Sequence, residues 1–217
     1  MKKDLYQALV KQRQLGAYKG YTNISDYHNG VYECNHVSPY TLGADNLDAD
    51  IMYFLQDWGS SNWMSEPVHE DSAKYGCSLN CTTDRKLKEL LKTHLGVEKK
   101  ETFGTNVFPF IKPGKMSATL KAKDVRKAAA DFGLPMIKII RPKVVIAFGE
   151  AAYTGLRTAA GLKKVSGMSE AIETPFKVDD ILVCCLAHPG RLGTNNRNRC
   201  FKGQVTKDWE NLARLVK

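Results

Sequence analysis

Three short stretches, far apart in the chain, each carry a side chain able to do chemistry. Asp57 stands in Gln56-Asp57-Trp58-Gly59-Ser60-Ser61, Asn106 opens a polar run reaching Gly114, and His188 heads His188-Pro189-Gly190-Arg191-Leu192-Gly193. A carboxylate can orient water and favour a cationic transition state. An imidazole N–H can stabilise an anion as it forms. A side-chain amide can both donate to and accept from a planar polar edge. Taken singly, Asp57 reads as an Asx-turn residue, Asn106 as a turn residue and His188 as a satisfied structural imidazole. Their common position at the ends of apolar runs outweighs that reading, because α/β folds bind ligands where the chain leaves the C-terminal ends of strands.

The runs that must position them are residues 50–56, 103–108, 143–148 and 181–186. Short, continuous and rich in β-branched or aromatic residues, they suit strands buried on both faces of a parallel sheet. Helical periodicity fills the gaps. It places Leu87, Leu90, Leu91 and Leu95 on one face over 84–95, and Val125, Ala128, Ala129, Phe132, Met136 and Ile140 on one face over 123–140. A shorter helix is expected over 150–160. A last one, over 206–216, carries Trp209, Leu212, Ala213 and Val216 on one side. Leu5, Leu9 and Leu15 suggest a further helix before a tyrosine-rich polar stretch, 18–40. Strands alternating with helices predict a three-layer α/β/α sandwich around a four-stranded parallel sheet. One domain is expected over 1–217, with 1–49 a helical and loop extension packed on it; no repeat or low-complexity linker divides the chain.

A chain of 217 residues, 43% hydrophobic and 25% charged, can bury a substantial single core. Its net charge of +9 points to a polyanionic partner, since each phosphate neutralised releases a counterion and adds affinity. There is no apolar run long enough for a bilayer, and Met1-Lys2-Lys3-Asp4 leads into an amphipathic segment rather than a signal core. A cytoplasmic monomer that does not engage membranes is expected. The six cysteines are Cys34, Cys77, Cys81, Cys184, Cys185 and Cys200. Without a secretory signal they read as reduced thiols. Cys77 and Cys81 have a spacing that fits one helical turn and no second ligand pair beside them, while Cys184 and Cys185 sit in a core strand.

With these segments in order, the chain resembles the uracil-DNA glycosylase superfamily. Leu55-Gln56-Asp57-Trp58-Gly59 is similar to that family's first active-site motif, Thr105-Asn106-Val107 to its base-reading segment, and Ala187-His188-Pro189-Gly190-Arg191-Leu192 to its second active-site motif. The stretch from Ile140 to Gly149, IRPKVVIAFG, resembles the family's Ile-Arg-Pro strand. The likeness covers roughly residue 50 onward. It implies a monofunctional DNA glycosylase in which Asp57 orients water beneath the sugar and His188 donates to the departing base. It also implies base contacts from Gln56, Trp58, Gly59, Asn106 and Tyr75, with Trp63 a second candidate for the stacking ring. Leu192 would be the wedge that replaces the flipped base. Phosphate contacts would come from Ser60, Ser61, Lys112, Lys115, Ser117, Gly190, Arg191, Arg197 and Arg199, with Lys202 nearby.

The motifs depart from the family in ways that bear on substrate. Gly59 replaces the tyrosine that excludes C5-substituted pyrimidines, Trp58 replaces a proline, and Gly190 replaces a serine. The early Cys-x-x-Cys of iron–sulfur branches is missing and Ala129 falls near a later ligand position, so neither a cluster nor any other cofactor or metal is expected. Two substrates are consistent with this: uracil in base repair, or an enlarged C5-modified pyrimidine such as hydroxymethylcytosine or its glucosylated form in defence against phage. A non-catalytic DNA-binding or partner-binding module on the same scaffold is the alternative from another class.

Overall fold

Alternation within each strand decides the layers. In the computed structural model, which describes residues 1–199 and 201–216, Met52 and Phe54 enter one apolar cluster while Tyr53 and Leu55 enter another. Val145 and Ala147 oppose Val144, Ile146 and Phe148 in the same way, and Val183 and Cys185 oppose Cys184 and Leu186. A strand whose successive side chains are all buried must be covered on both faces. Helices Lys2–Leu15, Ala122–Ala128, Leu134–Ile140 and Glu150–Ala159 cover the first face, and Thr82–Leu90 with Gln204–Leu215 the second.

The sheet has five strands: β1 (Ile51–Asp57), β2 (Phe103–Phe108), β3 (Val144–Phe148), β4 (Phe176–Val178) and β5 (Ile181–Leu186). Their order is β2-β1-β3-β5-β4. The four strands expected from the sequence are mutually parallel, with Leu55 beside Asn106, Ile51 beside Val144 and Val145 beside Val183. β4 is an addition to the four-stranded expectation. It pairs antiparallel with β5 through a two-residue turn in which Asp179 takes φ 55°. Three residues with one exposed lysine between two buried apolar side chains are too short to stand out as a periodic signal.

The helix over 123–140 is interrupted by a π-turn at Ala129–Gly133. Pro135 lies just beyond it, and a proline cannot donate its backbone N–H to the regular helical ladder. The first helix turns a different face inward from the one its leucines suggest. Tyr6, Leu9, Val10 and Arg13 are buried, whereas Leu5 and Leu15 are exposed. Arg13 is wholly buried and donates to both oxygens of Glu33, at 2.7 and 2.5 Å, and to the carbonyls of Cys34 and His36. That one guanidinium ties the irregular stretch after the helix back onto the domain, and Tyr6, Leu9, Val10 and Val37 share the main cluster.

Cys184 and Cys185 are buried on opposite faces of β5. Cys77 precedes a turn closed by Cys81 N–H on the Ser78 carbonyl, and Cys81 caps helix Thr82–Leu90, so the two thiols do not share a helical turn. Cys200 and Lys217 lie outside the described residues. No helix among the described residues is long and apolar enough to cross a membrane.

Candidate active site

From β1 the chain crosses to β2 on one side and then to β3 on the other, so a crevice opens beside β1 at the C-terminal ends of the strands. A cleft of about 1550 Å³ occupies that place, lined by Gln56, Asp57, Lys112, Ser117, Glu150, His188 and Leu192 among others. Asp57 is the last residue of β1, and His188 follows β5. Two strand ends thus deliver a carboxylate and an imidazole to one hollow.

Asp57 is 9% exposed, and its Oδ2 lies 2.6 Å from the Nζ of Lys112, itself 7% exposed. Burial pushes the Asp57 carboxyl up from the usual carboxylate value, and the ammonium beside it pulls the other way. The pair is held by the backbone beneath it. Ser61 N–H donates to the Lys112 carbonyl at 2.8 Å, Asn62 N–H to the Gly114 carbonyl at 3.1 Å, and Gly114 N–H to Ser61 Oγ at 2.8 Å. The segment after β1 is therefore zipped to the segment after β2.

His188 accepts a hydrogen bond on Nδ1 from the Gly190 N–H at 3.0 Å. A neutral ring that accepts on Nδ1 carries its proton on Nε2. Burial holds its pKa below the usual 6.5, which keeps it neutral at physiological pH. Glycine is required around the ring. A Cβ at Gly190 would lie 2.8 Å from Thr83 Oγ1 and 3.0 Å from His188 Nδ1, and one at Gly193 would lie 2.4 Å from the His188 carbonyl oxygen. Gly190, expected near a phosphate, is buried and serves to aim the imidazole.

Several other expected contacts fall elsewhere. Lys112 is committed to Asp57 rather than free for a phosphate. Arg197 donates to both oxygens of Asp208, at 2.7 and 3.0 Å, and to Ser169 Oγ, joining helix Arg191–Arg197 to helix Gln204–Leu215. Ser60 is fully buried, and Ser61 Oγ is occupied by the Gly114 N–H. Asn106 is buried, with its Oδ1 accepting from Ser38 Oγ at 2.6 Å and its Nδ2 unpartnered, and it does not line the cleft. Trp58 packs edge-on against Tyr32 and Trp63 and donates to the Gly76 carbonyl at 2.7 Å. A Cβ at Gly59 would meet Trp63 and Ile111, so this glycine adds no room to the cleft. Tyr75, at the end of helix Glu70–Tyr75, lies outside the cleft lining, as does Trp63.

Leu192 is 75% exposed on the cleft rim, and Lys115, Ser117, Arg191 and Arg199 are exposed near it in sequence or space. The sequence reading missed Lys123, Arg126 and Lys164, which line the cleft from beyond β2 and β3, and Glu150 and Thr154 on the helix after β3. Lys123 and Arg126 are three apart on the solvent face of an amphipathic helix, a signal that was available but not specific. Past His188 the cleft adjoins a second hollow of about 620 Å³, walled by Met168, Ser169, Glu173, Asn196, Phe201 and Gln204 among others. In sequence comparisons the chain matched no protein-family model and no curated protein.

Proposed function

We propose that the protein is a DNA glycosylase that hydrolyses the N-glycosidic bond of a pyrimidine-type base flipped out of DNA. The observation that carries this reading is the meeting of Asp57 and His188, from distant parts of the chain, on one cleft at the strand ends. Breaking the bond develops positive charge on the sugar and negative charge on the base. The Asp57 carboxylate favours the first and can orient the attacking water through the oxygen Lys112 does not hold. The Nε2–H of a neutral His188 favours the second, and its geometry is preset by the Gly190 N–H. Leu192 is free to enter the base stack, and the basic rim supplies sequence-independent grip.

The second hollow beyond His188, where Glu173, Asn196 and Gln204 stand among apolar side chains, supports a base carrying a bulky C5 substituent. The support is no longer Gly59. Release of free base from duplexes containing uracil, 5-hydroxymethylcytosine or glucosylated 5-hydroxymethylcytosine tests both levels of the proposal. Cleavage of the modified duplexes supports the defence role, and cleavage of uracil alone supports repair. No release from any of them favours a DNA-binding module, a reading that draws on the basic rim and on a cleft lining without aromatic side chains among the described residues.

A further inference from the structure

Hydrolysis by the route above uses the Asp57 carboxylate and leaves the buried amine beside it without a chemical task. Lys112 Nζ is 2.6 Å from Asp57 Oδ2, on the same cleft as His188. A carboxylate placed to serve the sugar carbon puts an amine at that distance within reach of the same carbon. Its backbone is fixed by the Ser61 N–H, so the side chain approaches from a defined direction. The rim cations Lys123, Arg126 and Lys164 are, by contrast, solvent-exposed. Lys112 is buried with its Nζ against the one carboxylate placed to receive a proton as the amine adds to an aldehyde, which is the arrangement of a Schiff-base nucleophile and its base.

We propose that Lys112 is a nucleophile toward the abasic deoxyribose, giving the protein a strand-cleaving lyase activity in addition to base excision. The proposal rests on the glycosylase reading for the presence of a deoxyribose in the cleft. The Lys112 ammonium first passes a proton to Asp57. The free amine then adds to the C1′ aldehyde of the ring-opened sugar to give a carbinolamine. Asp57 returns the proton to the carbinolamine hydroxyl, which leaves as water, and the C1′–Nζ double bond of a protonated imine forms. The Asp57 carboxylate next takes a proton from C2′. The electron pair of that C–H bond becomes the C2′–C3′ double bond, and the C3′–O bond breaks to release the 3′ phosphate. Water hydrolyses the remaining imine, which frees Lys112 and an unsaturated aldehyde. No electrons are gained or lost overall.

A synthetic duplex carrying one abasic site, incubated with the intact chain and cyanoborohydride, tests this without requiring base excision. Reduction of the imine should leave a covalent protein–DNA adduct, and peptide mass mapping should place it on Lys112. Lys112→Arg keeps a cation on Asp57 but cannot form an imine, and should abolish both the adduct and the 3′ strand break. No adduct, or an adduct mapped to another amine, overturns the proposal. Base release without an adduct would sink the lyase activity and leave the glycosylase standing; an adduct on Lys112 without base release from any duplex would do the reverse.

Discussion

The two ends of the parallel sheet treat their charges in opposite ways. At the end where the strands begin, cations have local carboxylate partners: Lys143 with Asp50 at 2.7 Å, Arg141 with Asp180 at 3.1 Å, Lys138 with Asp179 at 3.8 Å and Lys2 with Asp48 at 2.8 Å. At the end where they finish, Lys115, Lys123, Arg126, Lys164 and Arg191 have no ion-pair partner among the described residues, although Lys127 is paired with Asp131. Exposed pairs add little stability, but each cancels the field of its cation. These unpaired cations therefore stand on and beside the cleft that holds Asp57 and His188. A field gathered at a cleft steers a polyanion toward it.

Removing the chemistry at the second end should have the largest consequence. Asp57→Asn or His188→Ala is expected to slow base release by about a hundredfold to ten-thousandfold, while DNA affinity stays nearly constant. Single-turnover base release alongside equilibrium DNA binding reads both, and equal losses in the two would break the division between chemical floor and electrostatic rim. Next in size is a paired cation at that same end. Arg197→Ala leaves the nearly buried Asp208 without its partner and should cost about 3 kcal/mol in denaturant unfolding. The salt dependence of DNA binding should not move, because Arg197 is already neutralised.

Unpaired cations should behave in the opposite manner. Changing Lys123, Arg126 and Lys164 together to Ala should flatten the plot of log affinity against log salt by about 2 to 3 units if each meets one phosphate. The same replacement of Lys143 and Arg141 should leave that slope unchanged and alter stability by about 0.5 kcal/mol or less. Identical slopes for the two variants would remove the distinction between the ends.

The smallest effect concerns pH. His188 is held below its ordinary value of 6.5 by burial, so the unfolded chain binds its proton more readily than the folded one. Stability from this source is fully present above 6.5 and is lost as pH falls below that value toward the folded pKa. His188→Gln should flatten the thermal midpoint between neutral pH and that acidic window. An unchanged profile would mean the ring is not buried as a neutral group.

Legibility followed the range of the forces involved. β2 and β5 were read to the residue and β1 and β3 to within one, because continuous burial on both faces leaves a continuous apolar run. The inward face of the first helix was not legible. Arg13 faces inward because Glu33, some twenty residues later, satisfies it, and no local periodicity reports a distant partner. The site divided likewise. Asp57 and His188 follow from the rule that strand ends form crevices. Gly59 and Trp58 lie outside the cleft lining because the turn after β1 directs Trp58 to Tyr32 and Trp63, and Gly59 to Trp63 and Ile111, in segments the motif does not contain.

The order of residues by itself determined that four buried strands would alternate with amphipathic helices, and that a carboxylate and an imidazole would stand at strand ends in a strongly basic chain. Patterns of burial are local, so a linear reading recovers them. Tertiary structure alone decided that Lys112 would hold Asp57, that Gly190 would set the tautomer of His188, that Asn106 would face Ser38, and which cations would be left without partners. Each of these is a pairing across a loop or a turn, set by how the chain crosses the sheet, and short-range directional contacts leave no periodic trace in sequence.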